Sequence, residues 1–315
     1  MPSSSTRREF LFQAAMLTLG AGTLPRSLQA AADDAPVPFS SGISKPGFAL
    51  PAAACDCHMH IYDSRFPAAP TAKLRPPPAT VDMYRMLQRR LGSTRNVVVT
   101  PSTYGTDNSC TLDALARFGP SARGIAVADD SISDAELKRL DRAGVRGLRF
   151  NLALGSVTTV EMIEPLARRI EPLGWHVQIN MPVAELERQR ALLQRLPVPA
   201  VFDHFARIPL PAGQAHPAFG LLRDLMQQGR AYIKLSGAYL ASKTGAPAYA
   251  DVAPLATALI NEAPEQVLWG SDWPHPTEAE KPDDGALLSL LAQWVPSAPL
   301  RDRILVANPA RLYRF

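Results

Sequence analysis

The chain has 315 residues, 46% of them apolar and 20% charged, with no charged or low-complexity run, which is material for one large core of barrel size. Its formal charge of +4 falls to +2 once Arg7, Arg8, Arg26 and Glu9 are set aside with the first 32 residues. No basic footprint for nucleic acid is left.

The first element in chain order is a targeting signal. Thr6-Arg7-Arg8-Glu9-Phe10-Leu11 precedes an apolar run from Leu11 to Leu24, and Ala30-Ala31-Ala32 follows. This is the outline of a twin-arginine export signal over residues 1–32, with cleavage near the alanines and delivery to a periplasm. The alternative is an unprocessed anchoring tail. The run is shorter than the roughly 20 residues of a transmembrane helix, so no stable span is expected after removal. Residues 33–49 read as a linker and 50–315 as the folded domain.

From residue 50, short apolar runs alternate with amphipathic stretches. Strands are predicted at Ala54–Ile61, Asn96–Thr100, Gly124–Ala128, Gly147–Asn151, His176–Met181, Ala200–His204, Ala231–Leu235 and Val267–Ser271. Helices are predicted at Val81–Leu91, Thr111–Phe118, Asp134–Ala143, Val160–Leu173, Val183–Leu196, Phe219–Gln228, Val252–Ala263 and Gly285–Val295. Ser133 ahead of Glu136 marks a helix start, and Gly144, Gly174 and Gly229 mark helix ends. Strict alternation implies parallel strands with the helices outside. Eight units, with no glycine-rich phosphate turn after the first strand, favour an α/β fold closed as a (β/α)8 TIM barrel over an open sheet. The tail from Arg301, with Pro309 at a helix start, reads as a docking helix. Cys55, Cys57 and Cys110 read as buried thiols.

The chemistry gathers where strands end. In Asp56-Cys57-His58-Met59-His60, alternation puts Asp56, His58 and His60 on one face, pointing into the barrel near its catalytic mouth. His204 ends the sixth strand, and Asp272 follows the eighth, where Pro274 stops it. Packed histidines and a capping aspartate are the bland reading of each alone; three strands delivering them to one rim point to a site. Arg149, ending the fourth strand, suits a carboxylate held by two parallel bonds. Arg207 and Arg146 are as compatible with surface charge. Tyr104, Asp107 and Asn108 after the second strand, Tyr239 after the seventh and His275 beside Asp272 are further candidates to line a pocket. His176 opens the fifth strand, at the barrel's bottom, and reads as structural.

His58-x-His60, Asp203-His204 and Trp269-Gly270-Ser271-Asp272-Trp273-Pro274-His275 resemble the motifs of the amidohydrolase superfamily, in its amidohydrolase-related branch, over residues 50–315. Gly147-Leu148-Arg149-Phe150-Asn151-Leu152 and Lys234-Leu235-Ser236-Gly237 resemble the lactone-processing families of 2-pyrone-4,6-dicarboxylate lactonase and D-galactarolactone isomerase. The resemblance implies a hydrolase or isomerase acting on a lactone of an acidic sugar or ring-cleavage product. Asp272 would be the base, and His58, His60 and His204 would polarise the carbonyl. The partner is then a small lactone or carboxylic acid. Two departures, Thr277 in place of an asparagine and Leu240 in place of an arginine, favour a hydroxyl-rich sugar lactone over a dicarboxylate.

The fourth strand offers Arg149 and Asn151 rather than a bridging ligand, so a binuclear metal site is not expected. No obligatory metal is the favoured expectation. A single zinc on His58, His60 and Asp272, with His204 nearby, is the alternative. Two competing readings remain: a zinc-dependent decarboxylase of the same superfamily, favoured by stoichiometric metal, and an exported binding protein without turnover, favoured by binding that survives loss of Asp272.

Overall fold

The structure, a computed structural model, describes residues 36–153 and 157–315, so the expected export signal over residues 1–32 lies outside the described residues. Eight strands follow one another in the sheet in sequence order, every adjacent pair parallel. They are β1 Cys55–Met59, β2 Arg95–Val99, β3 Ala122–Ala126, β4 Val145–Asn151, β5 His176–Asn180, β6 Ala200–Phe202, β7 Ala231–Leu235 and β8 Val267–Trp269. The fold is a (β/α)8 barrel. Its seam runs between β8 and β1, where Asp272 N–H donates to His58 O and His60 N–H to Trp273 O, both at 2.8 Å. Gly270 permits this approach, because a Cβ there would stand 2.6 Å from His58 Cβ.

Helices fall where the periodicity places them, most with ends shifted by no more than two residues, while the span Val160–Leu173 is an α-helix over Ile163–Ile170 between two 3₁₀ turns. Ser133 accepts from Glu136 N–H at the start of Asp134–Arg142. Gly144, Gly174 and Gly229 all adopt positive φ, as helix-ending glycines should. The predicted helix Val183–Leu196 is instead two short helices, Val183–Arg188 and Arg190–Arg195, that part at Gln189. In the tail, Asn308–Tyr313 is a helix with Pro309 in its first turn.

Two expectations are corrected. Residues 36–49 are no linker: they belong to the same compact unit as the barrel. Val37 is buried, Trp273 Nε1 donates to Pro38 O at 2.8 Å, and Phe39 meets the Trp273 ring edge-on. Apolar Val37 and Phe39 give this strap a reason to dock, which a polar linker lacks.

The second correction concerns β1. Its register with β2 shifts between Asp56 and Met59, so the simple alternation fails there. Asp56 turns to the helix layer, where it accepts from Tyr84 Oη at 2.9 Å and Ser271 Oγ at 2.6 Å. Cys57 packs inside the barrel with Val97, Val99, Ile125 and Leu268. The irregularity lets His58 turn inward next to Cys57 rather than opposite it. All three cysteines are free and buried.

Candidate active site

The C-terminal ends of the strands surround a cavity of about 500 Å³. His60, Arg149, His204, Arg207 and Asp272 line it. His58 does not; it is fully buried behind Asp272, His60 and His204, with its Nε2 3.4 Å from Asp272 Oδ1 and its ring 5.0 Å from each of the other two imidazoles.

Asp272 is the focus. Its Oδ1 stands 3.4 Å from His58 Nε2 and 3.5 Å from His60 Nε2, while Oδ2 accepts from Tyr239 Oη at 2.6 Å. Burial opposes a charge on this carboxyl, but the imidazoles of His204, His60 and His58 outweigh it and hold it well below the usual carboxylate range. Burial also pushes His58 and His204 down, towards the neutral form, leaving the carboxylate as the charged member of the group.

Each histidine is tied at Nδ1. His60 Nδ1 faces Val99 O at 2.8 Å, and since a carbonyl only accepts, that nitrogen carries the proton. His204 Nδ1 pairs with Ser236 Oγ at 3.0 Å. His58 Nδ1 lies 3.1 Å from Asp203 Oδ1 and 3.2 Å from Lys234 Nζ. Ligand atoms of His58, His204 and Asp272 lie within 4.8 Å of one another, and His58 Nε2 has no hydrogen-bond partner. These donors fit a single metal ion, in a trio where His204 replaces the expected His60.

Below the site, Asp203 gathers cations. Arg149 Nε donates to its Oδ2 at 3.1 Å, and Lys234 Nζ lies 3.6 Å from Oδ1 while donating to Gln178 Oε1 at 2.7 Å. Burial opposes the Asp203 charge, but His58, Lys234 and Arg149 hold the carboxyl far below its usual range. Arg149 is thus anchored from behind as it faces the cavity.

His204 and Arg207 reach the rim by an unusual route. β6 stops at Phe202, and His204, Phe205, Ala206 and Arg207 all take left-handed backbone with φ between 52° and 55°. Such a run of non-glycine residues is costly and is a mark of functional geometry. Arg207 Nε then donates to Asn180 Oδ1 at 2.7 Å, Asn180 Nδ2 to Asn151 Oδ1 at 2.9 Å and Asn151 Nδ2 to Ser102 Oγ at 2.8 Å.

Other expected pocket residues sit elsewhere. Tyr104 Oη accepts from Asp63 N–H, and Asn108 ties Thr100 to Val127. Asp107 accepts from Ser109 N–H. Arg146 pairs with Asp141, away from the mouth. Tyr239 and His275 lie behind Asp272, and neither is among the residues that line the cavity. In each case a nearer polar partner claims the side chain. Leu240 and Thr277 do line it. Asn151, Asn180, Lys73 and Lys234 were not singled out for the site; for Asn151 and Asn180 the available signal was a polar residue ending an apolar strand.

A parallel barrel that gathers histidines and an aspartate at its C-terminal mouth is an enzyme scaffold with its active site in the usual place. The chain belongs to the amidohydrolase family, whose profile matches residues 55–315, and it is a hydrolase of that superfamily. It is 39% identical over 283 residues to 2-pyrone-4,6-dicarboxylate hydrolase of Comamonas testosteroni, covering 86% of this chain and 93% of that one. It is 38% identical to 4-sulfomuconolactone hydrolase of Rhizobium radiobacter (90% and 98% covered) and 30% identical to D-galactarolactone isomerase of Agrobacterium fabrum (85% and 94%). A solved apo protein of Agrobacterium tumefaciens superposes with a TM-score of 0.82 at 29% identity, over 88% of this chain and 98% of that one. The relatives are lactone hydrolases and a lactone isomerase.

Proposed function

We propose that this chain hydrolyses or isomerises a lactone bearing an acidic group, with Asp272 as the general base. One observation carries the reading: a buried carboxyl turns one oxygen towards His58 and His60 at the wall of a cavity that Arg149 and Arg207 also line. Asp272 Oδ1 takes the proton of an attacking water, or of a substrate carbon or hydroxyl. Arg149, its Nε held by Asp203, orients the anionic group of the substrate. His204 and Arg207 face the lactone carbonyl as its charge develops. His58 fixes Asp272 rather than touching substrate. The names of the lactone-acting relatives support the substrate class. Leu240 and Thr277 on the cavity wall favour a hydroxyl-rich lactone over a dicarboxylate.

A metal-assisted reading has its own observation in the unpartnered His58 Nε2 within the His58, His204 and Asp272 trio. A single zinc held there would supply Lewis-acid polarisation of the carbonyl and a more acidic bound water. Export by the twin-arginine signal over residues 1–32, to a periplasm, is part of the proposal and rests on the Arg7-Arg8 motif. Among the described residues no helix is long and apolar enough to cross a membrane.

The test is metal analysis of the purified protein paired with a pH-indicator assay on sugar-acid lactones, 2-pyrone-4,6-dicarboxylate and 4-sulfomuconolactone, before and after chelation. Turnover that persists without metal supports Asp272 acting alone. Stoichiometric zinc with chelator-sensitive turnover transfers the chemistry to the metal-assisted form. Failure on every lactone rejects the proposed activity.

A further inference from the structure

His275 and Asp284 are fully buried, lie outside the residues assigned to substrate, and are joined to the base through one tyrosine. Asp284 opens the helix Asp284–Trp294 and donates its backbone N–H to Ser40 Oγ in the strap at 3.2 Å. Its Oδ2 lies 3.1 Å from His275 Nε2. His275 Nδ1 lies 3.0 Å from Tyr239 Oη, which lies 2.6 Å from Asp272 Oδ2. The backbone is held to match: Asp272 and His275 both have positive φ, 64° and 53°, and His275 N–H donates to Asp272 O at 2.8 Å.

Hydrogen-bond direction along this line is constrained. A carboxylate only accepts, so Asp272 takes the single proton of the Tyr239 hydroxyl. Tyr239 Oη then has only lone pairs to offer His275 Nδ1. At 3.0 Å, two facing lone pairs repel, and the contact is favourable only if Nδ1 carries a proton. His275 Nδ1 is therefore the donor to Tyr239, while Nε2 and Asp284 Oδ2 share one proton across 3.1 Å.

We infer that Tyr239, His275 and Asp284 form a positioning chain in which His275, donating from Nδ1, commits the Tyr239 proton to Asp272 Oδ2, leaving Oδ1 as the oxygen that takes the substrate's proton. None of the three touches substrate. The chain spans three separate parts of the sequence: the turn after β7, the turn after β8, and the helix that the strap anchors. It rests on Asp272 as the base, but its hydrogen-bond content does not depend on turnover.

Two measurements on the full-length protein test it. The first is imidazole ¹⁵N NMR at neutral pH, with the His275 resonances assigned by their loss in His275→Gln. The expected spectrum has Nδ1 protonated in the parent protein. A His275 whose Nδ1 carries no proton overturns the inference. The second is steady-state kinetics on a lactone the protein turns over. Tyr239→Phe, which keeps the ring and loses the donor, is expected to lower kcat about 100-fold with KM within about twofold, as a misplaced catalytic group does. Asp284→Asn should lower kcat less, with KM again unchanged.

An Asp272→Asn enzyme that is inactive beside a Tyr239→Phe enzyme of full kcat rejects the positioning chain and keeps the base. An Asp272→Asn enzyme that retains turnover rejects the base instead. If no lactone is turned over, the proposed function fails, and the ¹⁵N spectrum of the parent decides the chain by itself.

Discussion

The floor and the mouth of this barrel are built on the same strands and differ in almost every physical respect. On β6, β7 and β8 the floor residues Val201, Tyr232 and Leu268 pack with Cys57, Val97, Val99 and Ile125. Two residues further along, on the same faces, stand Asp203 and Lys234, and Arg149 and Gln178 of β4 and β5 join them. The floor is held by apolar burial, which is non-directional and tolerant of change. The mouth is held by fully buried charges whose desolvation is offset only while each keeps its partners. Substitutions at the mouth should therefore be costly in activity, stability or both, and at the floor modest and in stability alone.

The largest expected effect breaks the mouth at its centre. Asp272→Asn retains the shape of the side chain and its bond with Tyr239 but cannot take a proton, and kcat should fall about 10³-fold. Steady-state assay beside a thermal melt checks this; a full loss of kcat with an unchanged melt separates chemistry from folding. Next comes Lys234→Met. The change leaves Asp203 without one of its cations and Gln178 Oε1 without its donor, in a fully buried setting, and should cost about 3 kcal/mol in denaturant unfolding. A Lys234→Met protein as stable as the parent would mean that Arg149 and His58 alone suffice for Asp203.

How much of this contrast the sequence discloses varies strand by strand. β4 and β5 are regular, so alternation alone puts Arg149 and Asn151 on the inner face, and both line the cavity. On β1 the inward direction of His58 and His60 is correct, but the shared face with Asp56 is not. Alternation cannot register a shift that depends on Ser271 and Tyr84 capturing Asp56 from two distant elements. The left-handed turn carrying His204 and Arg207 contains no glycine or asparagine, so nothing in its composition announces it. Tyr239 and His275 are recognisably near the site, yet their roles depend on Asp284, and only the tertiary fold brings it to them. The strap over residues 36–49 hides for a related reason, since its few apolar residues look too sparse to dock until Trp273 offers a surface.

His176 sharpens the contrast from the floor side. It opens β5, fully buried, with neither ring nitrogen hydrogen-bonded and the Tyr313 ring against it edge-on. Burial, reinforced by the Lys234 charge, lowers it to about 3. The unfolded chain therefore binds a proton below about pH 6.5 that the folded chain refuses until about pH 3. Stability from this group is fully present above pH 6.5 and lost as the pH falls across that window, at up to ~1.4 kcal/mol per pH unit. His176→Leu should remove that component. Unfolding free energies compared at pH 7 and pH 5 would reveal a variant that gains on the parent as the pH drops; parallel curves would place the acid sensitivity at the mouth, in Asp203 and Asp272.

The smallest effect belongs to the floor's apolar packing. Ile125→Val removes one methylene from a fully buried side chain of β3 and should cost about 1 kcal/mol in stability. Because Cys57, Val97 and Leu268 around it carry no charge that must stay paired, the neighbours can relax into the space. The mouth above is anchored by its own hydrogen bonds through Asp203, so kcat and KM should both match those of the parent. A kcat that falls with this methylene would mean that the charged layer takes its geometry from the floor beneath it, and the two regions would then be one mechanical unit rather than two.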